Sequence, residues 1–169
     1  MKILILNPGA TSTKIAVYED ETEVFSTSLS HAPEELKGFA HVIDQLPLRE
    51  QLVREALQKA GYFPACFDAV CSRGGLIRHI PSGTYEINDA ILHDIYNPPF
   101  GEHASSLGPV IARGIADEAH IPAFLVDPVS VDELQPLARV TGLSGMERES
   151  FFHALNHKAV ARKVASDLG

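Results

Sequence analysis

The chain has 169 residues, of which 45% are hydrophobic and 21% are charged, and its formal net charge is -8. This length and composition are typical of one globular domain with a buried core. The acidic balance argues against a general nucleic-acid-binding protein. The apolar runs are far shorter than the ~20 residues of a membrane helix, so we expect no membrane partner.

Two further features concern the cellular compartment and the cysteines. Met1-Lys2 leads into a short strand-like segment and not into the apolar core of a signal peptide, so we expect a cytoplasmic protein. Cys66 and Cys71 lack the C-x-x-C spacing of a zinc or redox pair. We expect both cysteines to fill space in the core.

The first thirty residues predict three consecutive strands. Residues 3–6 form a continuous apolar run, which is typical of a strand buried on both faces. Residues 14–19 alternate between apolar and other side chains, and residues 23–29 follow the turn at Asp20-Glu21. Consecutive short strands joined by tight turns predict antiparallel pairing at the start of the chain.

Helical and strand-like segments alternate in the remainder of the chain. Helices are predicted from Pro33 and over residues 48–60, 88–96, 104–119 and 151–168, and strands over residues 67–71, 84–87 and 123–126. Two Ser-x-x-Glu sequences, which begin at Ser130 and Ser144, match the capping box and predict a short and a longer helix. Alternation of this kind indicates an α/β domain.

The turn between the first two predicted strands is the most informative stretch. Its sequence, N-P-G-A-T-S-T-K over residues 7–14, brings together a glycine, three hydroxyl side chains and a lysine. Backbone N–H groups, hydroxyls and a cation are the groups that hold a phosphate. Neither a Walker A loop nor a dinucleotide-binding fingerprint is present. An ordinary polar hairpin turn has the same residue types, and the pattern leaves both interpretations open.

Three polar side chains follow apolar strands. Asn7 ends the first strand, Arg73 follows residues 69–71, and Asp127 follows residues 123–126. Ligands of open α/β sheets bind at the carboxyl ends of the strands, so we expect these groups to converge if the strands are parallel neighbours. Each also has a structural interpretation, as a turn former, a surface charge and a cap before Pro128.

A second polar cluster, G-E-H-A-S-S-L-G over residues 101–108, lies at the start of a predicted helix. It is consistent with either an anion contact or simple helix capping. His153 and His157 are four residues apart on one predicted helix, but Ala154 takes the place of the glutamate of an H-E-x-x-H zinc site. We expect no zinc there. The other histidines have no partner pattern and are interpreted as structural or exposed.

Six segments together resemble the butyrate kinases of the acetokinase family. In chain order they are NPGATSTK (7–14), RGGL (73–76), PSGTYE (81–86), GEHAS (101–105), VDPV (126–129) and FHALNHKAVAR (152–162). The resemblance extends over essentially all of the chain. It implies a ribonuclease H-like (actin-like ATPase) α/β domain with a mixed sheet, in which antiparallel N-terminal strands are followed by βα units.

The resemblance also implies an activity. Butyrate kinases transfer a phosphoryl group reversibly between ATP and a short-chain carboxylate, with ATP or ADP and Mg²⁺ as cofactors and butyrate or butyryl phosphate as substrate. By motif position, Asn7, Thr11, Ser12, Thr13 and Lys14 are similar to the phosphate-side hairpin, with Thr11 to Thr13 as nucleotide-binding residues. Phosphoryl transfer depends mainly on positioning and charge stabilisation, which this set of groups can supply.

The other implied site residues come from three later segments. Asp127 is similar to the acidic residue implicated in Mg²⁺ binding. The resemblance implies that Asn7 also contributes to the metal site. His153 is similar to the histidine that contacts the transferring phosphoryl or acyl oxygen. Arg73 lies in a segment that is similar to the acyl-side loop of the family.

The chain departs from the family pattern in three ways. Ala10 stands where the family has Ser, Ser72 precedes Arg73 where Gly is expected, and the length is roughly half that of a complete family member. Residues 1–169 therefore resemble a single N-terminal domain, with the start of the interdomain helix at 150–169 and no C-terminal domain. We expect this half to be inactive alone, and the complete enzyme to be a homo-oligomer.

Two alternatives stay open. One is a non-catalytic module that keeps the fold and binds anions or a partner. The other is a kinase for a related acid, such as isobutyrate, propionate or acetate.

Overall fold

The computed structural model describes residues 1–169 and is built around one six-stranded sheet. The strands are β1 Lys2–Pro8, β2 Ser12–Glu19, β3 Thr22–Ser30, β4 Ala69–Arg73, β5 Thr84–Glu86 and β6 Ala123–Val126. The α-helices are α1 Pro33–Leu36, α2 Leu46–Lys59, α3 Asp89–Tyr96, α4 Leu107–Ala119 and α5 Ala154–Leu168. Short 3-10 turns cover Val42–Gln45, Pro64–Cys66, Ala104–Ser106 and Pro136–Arg139. No helix has the length and apolar character needed to cross a membrane.

The strand order is β3-β2-β1-β4-β6-β5. β1, β4 and β6 run parallel to one another, whereas β2, β3 and β5 are antiparallel to their neighbours. The prediction of a mixed sheet with an antiparallel N-terminal set is confirmed. Because β1, β4 and β6 are adjacent and parallel, their carboxyl ends lie at one edge of the sheet.

The two faces of the sheet differ in burial. Leu4, Leu6, Val70 and Leu125 are fully buried and belong to the core, which α2 and α4 cover. The alternate residues of the same strands face the other way, because successive side chains in a strand point to opposite faces. Most of those residues, among them Ile5, are only half-buried, although Ala69 is buried. The expectation that the first strand is buried on both faces is therefore met on one face only.

Both capping-box predictions are wrong. Residues 130–133 form no helix: Ser130 lies in a turn, Val131 pairs with Ile80 in an isolated parallel bridge, and the hydroxyl of Ser130 has no hydrogen-bond partner. Residues 144–147 lie in a loop, with Gly145 at a φ of 75° and Val140 bridging to Glu147. A left-handed glycine and extended pairing are both incompatible with a continuing helix.

Three smaller differences also appear. The helix predicted from Pro33 is a single turn, and the last helix begins at Ala154 and not at residue 151. Cys66 is exposed in the 3-10 turn that joins α2 to β4, so its predicted place in the core is wrong, whereas Cys71 is half-buried in β4. The turn at Pro64 directs Cys66 outward and Phe67 inward.

Candidate functional site

A row of four residues crosses the sheet near the carboxyl ends of the parallel strands. Lys14 pairs with Asn7, and Arg73 pairs with Val126. The register of Leu6 with Ser72 puts Asn7 level with Arg73. All four residues alternate with core positions, so they share the half-exposed face of the sheet. Neighbouring strands are roughly 4.8 Å apart, and the row therefore brings Lys14, Asn7 and Arg73 onto one surface.

Asp127 directly follows this row, at the end of β6. It is 3% exposed and adopts a φ of 53°, in the left-handed region that non-glycine residues rarely occupy. Its Oδ2 accepts a hydrogen bond from Nη2 of Arg73 at 3.2 Å and lies 3.0 Å from Nδ1 of His153. The structure thus brings Arg73, Asp127 and His153 together, from β4, β6 and the residue before α5.

The other carboxylate oxygen of Asp127 caps helix α5. Oδ1 accepts hydrogen bonds from the N–H groups of Leu155 at 3.0 Å and Asn156 at 3.4 Å. These N–H groups belong to the first turn of the helix, whose donors have no partner within the helix. Asp127 therefore acts as a cap from a distant part of the sequence, while the adjacent His153 makes no side-chain cap of its own.

The hydrogen bonds of His153 define its ring state. Nδ1 lies 2.8 Å from the main-chain oxygen of Asp127 and 3.0 Å from Oδ2 of the same residue. Both partners are acceptors, so Nδ1 carries the hydrogen. Nε2 makes no hydrogen bond and is the nitrogen left free for a ligand.

The turn between β1 and β2 is tightly closed and is supported from below. The N–H of Gly9 donates to the carbonyl of Ser12 at 2.7 Å. The guanidinium of Arg49, on α2, donates to the carbonyl of Gly9 at 2.8 Å and to that of Ala10 at 2.9 Å. The N–H groups of Ala10 and Thr11 make no hydrogen bond within the molecule, and both residues are exposed.

Thr13 lies beneath the turn. Its side chain is on the core face and is fully buried, with Oγ1 3.3 Å from Nη1 of Arg49 and 2.8 Å from Nε2 of His31. Burial lowers the pKa of His31, and the nearby positive charge of Arg49 lowers it further. The structure therefore places Thr13 away from solvent, whereas Thr11 is exposed and Ser12 is half-buried.

Lys14 is exposed, and its ammonium group takes part in no ion pair or side-chain hydrogen bond. It lies on the same edge and face as Arg73, with β1 between β2 and β4. Lys14 and Asp127 are therefore not in contact, but they lie on the same side of the molecule.

The cluster over residues 101–108 fixes the loop that follows β4. The hydroxyl of Ser105 accepts from the N–H of Gly75 at 3.2 Å and lies 2.7 Å from Nδ1 of His103. The hydroxyl of Ser106 accepts from the N–H of Leu76 at 3.1 Å. The two hydroxyls therefore fix the loop after β4, a role that neither sequence interpretation gave them, while Nδ1 of His103 caps the 3-10 turn by accepting from the N–H of Ser105 at 3.2 Å.

Gly74 makes this arrangement possible. Its φ is 88°, and a Cβ at this position would lie 3.0 Å from Cβ of Ser105 and 3.8 Å from Cε1 of His153. The loop after β4 therefore passes close to both side chains, which a larger residue would displace.

The residues present fit a magnesium ion held mainly by a nucleotide. No group of three or more His, Cys, Asp or Glu side chains is arranged to hold a metal ion. Mg²⁺ is commonly bound through one or two carboxylates together with substrate phosphates and water. Asp127, which follows the row, supplies one carboxylate, and the Asn7 amide lies two strands away.

Two buried residues beneath the turn compare differently with the sequence. His31 is structural, as interpreted, whereas nothing in the sequence interpretation gives Arg49 a role beyond its helical segment. A charged residue in line with the buried Val53 and Leu57 on α2 is the available signal, since their four-residue spacing puts all three on one helix face.

Comparison with known proteins supports the fold assignment. No family model matches the chain. Among solved structures, the chain is similar to a propionate kinase from Francisella tularensis, with 14% identity, a TM-score of 0.64, and coverage of 99% of this chain and 49% of that one. It is similar to acetate kinase from Porphyromonas gingivalis, with 16% identity, a TM-score of 0.62, and coverage of 99% and 49%.

A third similar structure is acetate kinase from Entamoeba histolytica, with 13% identity, a TM-score of 0.61, and coverage of 98% and 47%. At these identities the likeness shows the fold. The chain has the actin-like form of the ribonuclease H-like α/β fold that these kinases share, and it spans about half of their length.

Proposed function

We propose that residues 1–169 are the N-terminal domain of a short-chain carboxylate kinase that transfers a phosphoryl group between ATP and butyrate. The observation that carries the proposal is the contact of Arg73 and His153 with Asp127, at the carboxyl ends of adjacent parallel strands. In this proposal the segment 150–169, which contains α5, begins the helix that leads to a second domain. Support comes from the likeness of almost the whole chain to one half of acetate and propionate kinases.

The hairpin turn supplies the phosphate side of the proposed site. Thr11 and Ser12 offer hydroxyls, Lys14 offers an unpaired ammonium group, and the turn offers unpaired N–H groups. Such groups stabilise the charge on a transferring phosphoryl group. Thr13 supports the turn from inside, since its hydroxyl is already bonded to His31 and Arg49.

Arg73 and His153 supply the acyl side. The guanidinium of Arg73 has donors beyond the one that Asp127 uses, and they can pair with a carboxylate substrate. Nε2 of His153 is free to meet an oxygen of the substrate or of the phosphoryl group. Phe152 is 44% exposed next to His153 and offers apolar surface to a short acyl chain.

Asp127 and Asn7 would hold the metal-bound nucleotide. Magnesium-bound ATP, when present, supplies the phosphoryl group and neutralises part of its charge. The four partners of the Asp127 carboxylate match the roughly four hydrogen bonds that a carboxylate accepts. A metal-bound nucleotide would therefore replace one of the two contacts that Oδ2 makes with Arg73 and His153. Asn7 lies beside Arg73, where its amide can orient a phosphate oxygen or a water molecule.

The preference for butyrate rests on the six motifs, and propionate, isobutyrate and acetate are the competing substrates. Each is a small anion with a short apolar tail, so Arg73 and His153 would treat them alike. Discrimination among them depends on the apolar surface next to His153.

Two measurements on the 169-residue chain test the proposal. Titration with butyrate and butyryl phosphate, followed by NMR, should shift the signals of Arg73 and His153, and His153→Gln should weaken that response. His93→Gln is the matched control, because His93 is exposed on α3. Lack of any response at Arg73 and His153 contradicts the carboxylate site.

The second measurement is an acyl-hydroxamate assay with ATP and butyrate. We expect negligible turnover by this chain, because about half of the kinase fold is outside it. Turnover of roughly 1–1000 s⁻¹, which ordinary enzymes reach, contradicts the assignment of the chain as half of an active site.

A non-catalytic anion-binding module is the second candidate. It is favoured by the half-length coverage and by Ala10, which has no hydroxyl to offer a phosphate. The NMR titration separates the two candidates: a module of this kind binds inorganic phosphate at the turn without a butyrate response at Arg73 and His153.

A further inference from the structure

Arg49 is a buried cation without an anionic partner. Its side chain is 0% exposed, and it takes part in no ion pair. Its hydrogen bonds go to the carbonyls of Gly9 and Ala10, the hydroxyl of Thr13 and, at 3.1 Å, the side-chain oxygen of Gln45. Burying a charge is unfavourable unless hydrogen bonds compensate it, and here the compensation comes largely from the turn.

The two carbonyls that Arg49 binds fix the direction of two N–H groups. The peptide unit is planar and trans, so a C=O and the N–H of the next residue point in opposite directions. The chain contains no cis peptide bond. With the carbonyls of Gly9 and Ala10 directed inward at Arg49, the N–H groups of Ala10 and Thr11 must point away from the helix. Both N–H groups are unpaired, and both residues are exposed.

We infer that Arg49 is a positioning residue, which turns the N–H groups of Ala10 and Thr11 outward to receive a phosphate or a similar small oxyanion. The inference rests on the proposed function and deepens it, because it assigns the oxyanion contact to two backbone donors. Successive N–H groups that converge on one side of a turn form an anion-binding concavity.

The positive charge of Arg49 also favours the binding of an anion at the turn, as does the orientation of the two N–H groups. No carboxylate neutralises it, and the neighbouring His31 has a lowered pKa. The turn therefore lies above a positive group in a buried setting, where solvent screening is weak. Hydrogen bonds from a cation to the carbonyls also polarise the peptide groups that carry the two N–H donors.

This arrangement explains how the turn can hold an anion with alanine at position 10. The donor at that position is the backbone, which every residue except proline supplies. The side chain of Ala10 is therefore not needed for the contact, and its small size leaves the N–H accessible.

The first test uses the unmodified 169-residue chain. With inorganic phosphate as the probe, NMR should show saturable shifts of the Ala10 and Thr11 amide signals at constant ionic strength. Without phosphate, both amides should exchange rapidly with solvent, because they are exposed and unpaired. Strong protection of these two amides without ligand, or no phosphate response, overturns the inference without any variant.

The second test compares three variants. Arg49→Met removes the donors and the charge and should weaken phosphate affinity roughly tenfold or more, because the two N–H groups lose the hydrogen bonds that orient them and the nearby positive charge. Arg49→Lys restores the charge and part of the bonding and should recover part of the affinity. Arg54→Met is the control, because Arg54 lies on the same helix and pairs with Glu50 and Glu118 on the surface.

The NMR amide signals of β4 and β6 show whether each variant is folded, because a folded variant keeps the chemical shifts of the unmodified chain there. Weaker phosphate binding by folded Arg49→Met, with Arg54→Met unchanged, supports positioning by Arg49. Unchanged phosphate affinity in Arg49→Met overturns it. If Arg49→Met is unfolded, Arg49→Lys and the amide exchange of the unmodified chain decide the question.

The failure of this inference is distinguishable from the failure of the proposed function. A butyrate response at Arg73 and His153, without a phosphate response at Ala10 and Thr11, overturns the role of Arg49 and leaves the carboxylate site intact. A phosphate response that depends on Arg49, without any butyrate response, supports the role of Arg49 and contradicts the kinase assignment.

Discussion

Asp127 holds His153 at two points, since Nδ1 of the imidazole lies 2.8 Å from its main-chain oxygen and 3.0 Å from its Oδ2. One residue therefore fixes both the position of the ring and the nitrogen that carries the hydrogen. The same carboxylate binds Arg73 and caps α5. Helix position and site geometry consequently depend on a single side chain.

Replacement of Asp127 by Asn should separate its two tasks. The amide oxygen can still cap α5, but the amide NH₂ would face donors from Arg73 and His153. We expect a loss of about 1–3 kcal/mol in the free energy of unfolding, because buried donors lose their acceptor. The ¹⁵N shifts of His153 should also change as Nδ1 loses its carboxylate partner.

Asp132→Asn is the matched control for that variant. Asp132 also pairs with an arginine, Arg139, and accepts a hydrogen bond from the N–H of Leu134. It should lower stability without changing the His153 signals. Unaltered His153 signals in Asp127→Asn would contradict the role of the carboxylate in holding the ring.

Two glycines on α4 should respond oppositely to alanine. A Cβ at Gly108 would lie 2.2 Å from Oγ of Ser72 and 3.0 Å from Cδ of Pro8, whereas a Cβ at Gly114 meets only Oε1 of Glu50 at 3.6 Å. Gly108→Ala should lower the free energy of unfolding by about 1–3 kcal/mol through overpacking. Gly114→Ala should raise it by about 0.5–1 kcal/mol through helix propensity. Urea unfolding measures the free energy of unfolding of both variants. An equal increase in the two variants would show that α4 does not pack closely against β1 and β4.

Acid should destabilise the protein through His31. Burial and the charge of Arg49 lower its pKa in the folded state, so the unfolded chain takes up a proton first as the pH falls. Stability contributed by neutral His31 is complete above the ordinary histidine pKa of about 6.5 and declines below it, until the folded-state pKa is reached.

Urea unfolding between pH 7.5 and pH 5 tests this expectation. His31→Gln should flatten the decline, because glutamine can still accept a hydrogen bond from Thr13 but does not titrate. His93→Gln removes an exposed histidine and should leave the slope unchanged. If the free energy of unfolding falls with pH as steeply in His31→Gln as in the unmodified chain, His31 is not the cause of the decline.

The two cysteines should differ in reactivity. Cys66 is exposed, whereas Cys71 is half-buried and burial raises the pKa of its thiol. Because the thiolate is the reactive form, a thiol reagent at neutral pH should modify Cys66 quickly and Cys71 slowly. Cys66→Ser should remove the fast phase, and unfolding should make both thiols accessible. A fast phase that persists in Cys66→Ser would contradict the placement of Cys71 in the sheet.

The sequence predicted the strands and long helices well, because the spacing of apolar residues follows the buried face of each element. The N-terminal strands and α2 to α4 follow that pattern closely. The convergence of Arg73 and Asp127 was also predictable, because side chains that follow parallel strands meet at one edge.

The remaining features depend on partners that are distant in sequence. Ser130 and Ser144 match a local capping motif, but pairing of Val131 with Ile80 and a left-handed Gly145 prevent the helices. Arg49 is buried because the carbonyls of a turn forty residues earlier accept its hydrogen bonds. No pattern within one helix encodes such a bond. The cap of α5 is similar, since its acceptor is Asp127 and not a neighbouring residue.

Helix α5 projects from the body of the protein. Ala154, in its first turn, is its only buried residue, and Lys158 pairs with Glu133 one turn further along. Asp127 grips the base of this helix and also holds Arg73 and His153. A change in the orientation of α5 would therefore reach Arg73 and His153 through one carboxylate, which ties whatever follows this helix to the two side chains that would meet a substrate.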